Sequence, residues 1–181
     1  MNPGAARPGG RRLVLLRHAK AEAAGGMVDA LRPLALTGRR QCLDVGARLV
    51  ATGLVPEHVL VSSAVRTRQT WELVRGALGD VPAAEVAVLD ELYGAGVQDL
   101  LELVRAVDER VVTVLVVGHE PTMSSAAAAL AATGHDHSHA GRVDQVRAGL
   151  PTGAYAVLEV AEWAELDRRT ARVVDVVRPP R

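Results

Sequence analysis

The sequence predicts an α/β fold: a single domain with a mostly parallel central sheet and helices on both faces. Three observations carry this. Strand-length apolar runs alternate with segments of helical spacing through most of the 181 residues. Two of those runs, Leu13 to Leu16 and Val111 to Val117, are near-continuously apolar, as strands buried on both faces are. The length suits one core, and no internal repeat or linker divides it.

Met1 to Gly10 is rich in Pro, Gly and Ala, and residues 1–11 are read as a disordered extension before a domain spanning 12–178. The first strand runs from about Arg12 to Arg17. Thr37 is a good helix N-cap, and Cys42, Val45 and Leu49 follow at helical spacing up to Gly53. His58 to Val61 forms a short strand ending in Ser62-Ser63. A helix from Val65 to Leu78 follows, stopped by Gly79. Val86 to Leu89 reads as a third strand. Leu100, Leu101, Val104 and Val107 mark an amphipathic helix over 98–107. Val111 to Val117 is the most β-prone segment and reads as a central strand. Pro121 suits the first turn of a helix reaching Ala132. Thr133 to Gly149 is read as a polar loop, Ala154 to Val160 and Ala171 to Val177 as strands, and Pro179-Pro180 closes the chain.

Composition excludes several classes. Twenty-one basic and twenty-one acidic side chains cancel, which argues against a nucleic-acid or membrane-surface role driven by overall charge. No apolar run approaches a membrane span. A lone Cys42 rules out an internal disulfide and fits a reducing compartment, so the protein is read as cytoplasmic. Arg11-Arg12 resembles a twin-arginine export signal only superficially, because Arg17 and His18 interrupt the apolar run that follows. Aromatic residues make up 2% with no Phe, so small aliphatic side chains must fill the core.

Three strand-to-helix junctions deliver polar groups to what should be one sheet edge: Arg17-His18, Ser62-Ser63 with Arg66, and His119. Open α/β sheets bind ligands beyond the carboxyl ends of their strands. Two guanidinium forks suit phosphate oxygens, each charge-assisted hydrogen bond contributing about 1.5–3 kcal/mol. Two imidazoles add reactivity. A neutral imidazole can attack phosphorus while arginine charge stabilises the equatorial oxygens, and no metal or cofactor is required.

Leu15-Leu16-Arg17-His18-Ala19-Lys20-Ala21, Ser62-Ser63-Ala64-Val65-Arg66-Thr67-Arg68-Gln69-Thr70 and Val117-Gly118-His119-Glu120-Pro121 resemble the three signature blocks of the histidine phosphatase superfamily, in the family's order. Arg32-Pro33-Leu34 before Leu36-Thr37-Gly38 is similar to the family's stretch ahead of its first helix. The resemblance covers about Arg12 to Ala132. It implies a phosphoglycerate-mutase-like fold, His18 as nucleophile, Arg17 and Arg66 as phosphate clamps, and His119 as a further phosphate-pocket residue. Ala19, where most members have Gly, matches the small SixA-like branch. Little room remains between Leu89 and Leu100 for the insertion that encloses small substrates in phosphoglycerate mutases. An open pocket follows, and with it a phosphohistidine phosphatase acting on a signalling protein such as a His-containing phosphotransfer domain. The alternatives are a broad phosphatase of small phosphomonoesters, a mutase, and a non-catalytic phosphate-binding module.

Glu91, in Leu89-Asp90-Glu91-Leu92-Tyr93, lies where relatives acting on esters often place an acidic proton donor; Glu22 and Glu120 are lesser candidates. Arg32 either guides a phosphorylated partner or is a solvated loop residue. Arg68 reads as a surface side chain or one that backs the site residues, not as a ligand, and Ser62 and Ser63 read as caps of the second helix. Cys42-Leu43-Asp44-Val45-Gly46-Ala47-Arg48 matches C-x5-R formally, but its helical spacing and Asp44 make Cys42 a small buried hydrophobe. His135-Asp136-His137-Ser138-His139 reads as solvated rather than as a metal site.

Overall fold

The computed structural model describes residues 10–133 and 137–180. Among these, six strands form one sheet in the order β3-β2-β4-β1-β5-β6. The strands are β1 (Arg11–Arg17), β2 (His58–Ser62), β3 (Glu85–Leu89), β4 (Thr113–Gly118), β5 (Tyr155–Val160) and β6 (Arg172–Val177). β1, β2, β3 and β4 run parallel, whereas β5 and β6 are antiparallel to their neighbours. The helices are α1 (Leu36–Ala51), α2 (Val65–Ala77), α3 (Val97–Arg105), α4 (Thr122–Leu130) and α5 (His137–Arg147).

The two-residue period of the buried strands divides the core into two layers. Leu13, Leu15, Val114 and Val116 pack with Leu100, Leu101, Val104, Met123 and Leu130 of α3 and α4. Val14, Leu16, Leu115 and Val117 point the other way, onto Cys42, Val45 and Leu49 of α1 and Trp71 and Val74 of α2. α1 and α2 approach closely at Gly46, where a Cβ would come within 2.6 Å of Ala77 Cβ and 2.8 Å of the Val74 carbonyl. No helix among the described residues is long and apolar enough to cross a membrane.

Five local expectations are corrected. β1 includes Arg11, which pairs with Val160, so ordered structure starts earlier than the extension read over 1–11; residues 1–9 lie outside the described residues. Helix α1 starts at Leu36 with Ala35 as its N-cap, so Thr37 is inside it and caps nothing. Helix α2 is preceded by Ala64 with no side-chain cap, so neither Ser62 nor Ser63 caps it. Most of the stretch read as a polar loop is α5, a largely polar helix fixed by its packing on α4 and β6. His139 of that stretch is buried, its Nε2 lying 2.9 Å from the Ala132 carbonyl, and is not solvated; His135 and Asp136 lie outside the described residues.

Candidate active site

β1 and β4 end side by side, with Arg17 registered against Gly118, and β2 flanks β4 with Val61 against Val117. Arg17-His18, Ser62 and His119 therefore leave three adjacent strands at the same height. The His18 and His119 ring centroids are 5.3 Å apart. β5 enters the sheet at this same edge, where Gly153 N–H donates to the His18 carbonyl at 3.1 Å.

Each ring has a defined tautomer. His18 Nδ1 is 2.8 Å from the Ala19 carbonyl, to which it donates, leaving the lone pair on Nε2. Arg66 Nε donates to that Nε2 at 3.3 Å. Arg66 Nη2 donates to His119 Nδ1 at 3.2 Å, so in the neutral ring the proton sits on Nε2, which donates to Ser62 Oγ at 2.8 Å. Burial first, then the Arg66 charge, keeps the imidazoles uncharged: His18 is lowered to about 4, with the Ala19 hydrogen bond opposing, and His119 to about 3.

Arg17 donates from Nη1 to the Leu150 carbonyl at 2.8 Å, and its charge lowers the pKa of both histidines. Its Nε is buried with no hydrogen-bond partner among the described residues. Arg66 is buried at the start of α2, whose Thr70 hydroxyl accepts the Ala19 N–H at 3.1 Å. Arg68 is exposed on the same helix, as read.

The loop between β1 and α1 is closed at its base by an antiparallel bridge between Ala21 and Leu34. Gln41 of α1 accepts the Lys20 N–H at 2.9 Å and Gln69 of α2 accepts the Leu34 N–H at 2.8 Å. Gly38 is required there, since a Cβ would stand 2.1 Å from the Lys20 carbonyl oxygen. From this loop, Asp29 reaches the site. Its Oδ2 accepts from Arg66 Nη2 at 2.9 Å and from the Tyr93 hydroxyl at 2.8 Å, and its Oδ1 accepts from Arg32 Nη1 at 2.8 Å. Hydrogen bonds from Tyr93, Arg32 and Arg66, in that order, hold Asp29 well below the usual carboxylate range. Tyr93 stands edge-on to His119 with centroids 5.4 Å apart.

The structure thus brings His18, Arg17, Arg66 and His119 together, with Arg32 joined through Asp29. Glu91 lies exposed in the turn after β3, and Glu22 is exposed as well. Glu120 is engaged elsewhere, accepting from Leu150 N–H at 3.0 Å and from the Ser124 hydroxyl at 2.5 Å. Asp29 and Tyr93 escaped sequence reasoning as partners of the site, and neither carried a positional signal; Ser62 was placed at the sheet edge but read as a helix cap, whereas it meets His119. Cys42 is buried in α1, and burial pushes its thiol up to about 12.

The family model for the histidine phosphatase superfamily (branch 1) matches residues 13–103. An uncharacterized protein of Mycobacterium tuberculosis is 38% identical over 161 residues, covering 88% of this chain and 96% of that protein. The chain belongs to the histidine phosphatase superfamily. The matched span holds His18 and Arg66 of this family member and stops short of His119. Among solved structures, a protein of Nakamurella multipartitia assigned as the phosphohistidine phosphatase SixA superposes with a TM-score of 0.79 at 35% identity, covering 96% of this chain and 98% of its own. The protein histidine phosphatase SixA complexed with tungstate gives 0.69 at 25% identity, covering 90% and 96% respectively. The superfamily member described here therefore has the phosphoglycerate-mutase-like fold that the sequence predicts.

Proposed function

We propose that this chain is a metal-independent phosphatase that works through a phosphohistidine on His18 and removes phosphate from phosphohistidine on another protein. One observation carries the reading: the lone pair of His18 Nε2 faces the Arg66 guanidinium, with the opposite ring nitrogen held by the Ala19 carbonyl. A neutral imidazole so fixed is a nucleophile beside an anion clamp. Arg17 Nε supports the same reading. A buried N–H without an acceptor costs about 1–3 kcal/mol, which a phosphoryl oxygen would offset.

In the first step Nε2 attacks phosphorus in line, and the bond from phosphorus to the substrate's imidazole nitrogen breaks. That imidazole departs neutral because its other nitrogen carries a proton taken from solvent. Water then attacks the phosphorus on His18, releasing inorganic phosphate and returning the electron pair to Nε2. The guanidinium groups of Arg17 and Arg66 neutralise the equatorial oxygens in both transition states.

Two features favour a phosphoramidate on a protein over a small ester. Asp29 is held ionised and Glu120 accepts two hydrogen bonds elsewhere, which leaves an ester's departing oxygen to an exposed acid, Glu91, whereas a phosphoramidate can take its proton from solvent. Tyr93 and the loop beside the site also expose apolar surface at Met27 (50%), Val28 (67%) and Leu31 (57%), which suits a protein surface better than a hydrated sugar phosphate. In this reading Arg32 guides the phosphorylated side chain, the protein works in the cytoplasm, and Glu91 serves as proton donor only when the substrate is an ester.

Trapping tests the proposal. The protein is incubated with a labelled phosphoramidate donor in the presence of EDTA, quenched in alkali and mapped by mass spectrometry. Label on His18, with turnover abolished in His18→Ala, is the expected result. Turnover that survives the substitution, or that EDTA abolishes, overturns it.

A further inference from the structure

We propose that Asp29 is a positioning residue for the phosphoryl clamp, holding the outer edge of the Arg66 guanidinium so that its inner edge faces the two imidazoles. The proposal rests on the phosphate-binding part of the reading above.

Arg66 has two hydrogen-bonding edges, and the structure uses them differently. On the outer edge, Nη1 donates to the Asp29 carbonyl at 2.7 Å and Nη2 to the Asp29 carboxylate at 2.9 Å. On the inner edge, Nε meets His18 Nε2 at 3.3 Å and Nη2 meets His119 Nδ1 at 3.2 Å. Both Asp29 contacts are shorter than both imidazole contacts, so Asp29 fixes the plane of the fork. A planar fork held on one edge loses little freedom when an anion lands on the other.

Asp29 also gathers the surroundings of that fork. Its carboxylate accepts from Arg32 and from Tyr93, the ring that stands edge-on to His119. The Arg66 side chain is 7% exposed and that of Asp29 51%. The buried partner is the one that needs holding, and the exposed one is dispensable to the core. Charge alone works against the carboxylate, since removing it would leave the Arg17, Arg32 and Arg66 guanidinium groups more attractive to an anion, so a loss of phosphate affinity in Asp29→Asn reads the geometry of the fork and not its charge. Sequence separation hid the arrangement, since Asp29 sits in a loop 37 residues before its partner.

The test is a cycle of variants titrated calorimetrically with inorganic phosphate, so that it does not depend on turnover. Asp29→Asn should weaken phosphate binding about tenfold, because the fork is no longer held on its outer edge by a charge-assisted hydrogen bond. Asp29→Glu should restore part of the loss. In an Arg66→Ala background, Asp29→Asn should change phosphate affinity less than twofold. The Arg66 Nε–H resonance, identified by its disappearance in Arg66→Ala, should be sharp in the wild type and exchange-broadened in Asp29→Asn; it reads the positioning even where Arg66→Ala binds phosphate too weakly to titrate. Wild-type phosphate affinity in Asp29→Asn, equal losses in both backgrounds, or an unchanged resonance would overturn the proposal. A protein that shows these effects yet turns over no phosphoramidate or ester keeps the role of Asp29 and refutes the phosphatase reading. One that turns over substrate with Asp29→Asn indistinguishable from wild type refutes Asp29 alone.

Discussion

The Ser62 hydroxyl and the Nε2 of His119 lie 2.8 Å apart, joining the carboxyl end of β2 to the residue just beyond β4. Because Arg66 donates to the opposite ring nitrogen, the His119 proton is directed at Ser62. Ser62→Ala should leave that buried N–H unpaired, a cost of about 1–2 kcal/mol that lowers the melting temperature by a few degrees, and the ring freed from its partner should lower kcat/KM roughly tenfold. Steady-state kinetics beside a thermal melt checks this, and unimpaired kinetics would show that the ring needs no such partner.

Replacing Arg66 separates charge from geometry. Arg66→Lys keeps the charge but not the fork, and Arg66→Ala loses both; the expected falls in kcat/KM on a chromogenic phosphate are about 10-fold and about 10²- to 10³-fold. Similar activity in wild type and Arg66→Lys would mean that a point charge suffices.

The two imidazoles should titrate far below the ordinary histidine range. Burial and arginine charge lower His18 to about 4 and His119 to about 3, so imidazole ¹⁵N spectra should show both neutral at pH 6, with the proton on Nδ1 of His18 and on Nε2 of His119. The unfolded chain takes up protons at these histidines near pH 6.5 and the folded one does not. Their contribution to stability is therefore complete above about pH 6.5 and is lost as pH falls, towards about 4 for His18 and about 3 for His119. Urea midpoints at pH 7 and pH 5 should drop on acidification, less steeply in a His18→Asn, His119→Asn double variant. An identical slope in that variant would contradict the shifts.

Gly38→Ala places a methyl group where the Lys20 carbonyl oxygen stands 2.1 Å away. Neither backbone can yield easily, because Gln41 also holds the Lys20 N–H. The expected cost is about 1–3 kcal/mol with loss of phosphate affinity as the loop bearing Asp29 shifts, measured by thermal melting and phosphate titration. A variant with wild-type melting would show that the loop base is looser than its contacts imply.

Glu91→Gln should slow hydrolysis of an alkyl or aryl phosphate by about 10²-fold while changing phosphohistidine hydrolysis less than threefold, because only the ester needs its leaving oxygen protonated. Parallel assays on the two substrates decide it. Equal losses on both would remove Glu91 as a substrate-selective acid.

The alternation of apolar runs and helical spacings, and the three strand ends carrying Arg17-His18, Ser62 and His119, were legible residue by residue. Local chemistry dictates them: a strand buried on both faces must be apolar, and where the run stops a polar residue enters the loop. Helix α5 was missed because its sequence is largely polar, with Val143 and Val146 as its buried apolar pair, too short a stripe to stand out before the packing on α4 and β6 is known. Capping by Ser62 was misread for a related reason, since a serine before a helix has the same local signature whether it binds that helix's amides or an imidazole 57 residues away. What the sequence alone determined is which groups arrive at the sheet edge. Only the tertiary structure decided the order β3-β2-β4-β1-β5-β6, which sets β1 and β2 on either side of β4. It alone also brought Asp29 and Tyr93 onto Arg66 and His119. Those contacts tie residues with no periodic pattern to α2 and to the end of β4 across long separations, and their partners are chosen by the packing of the whole sheet.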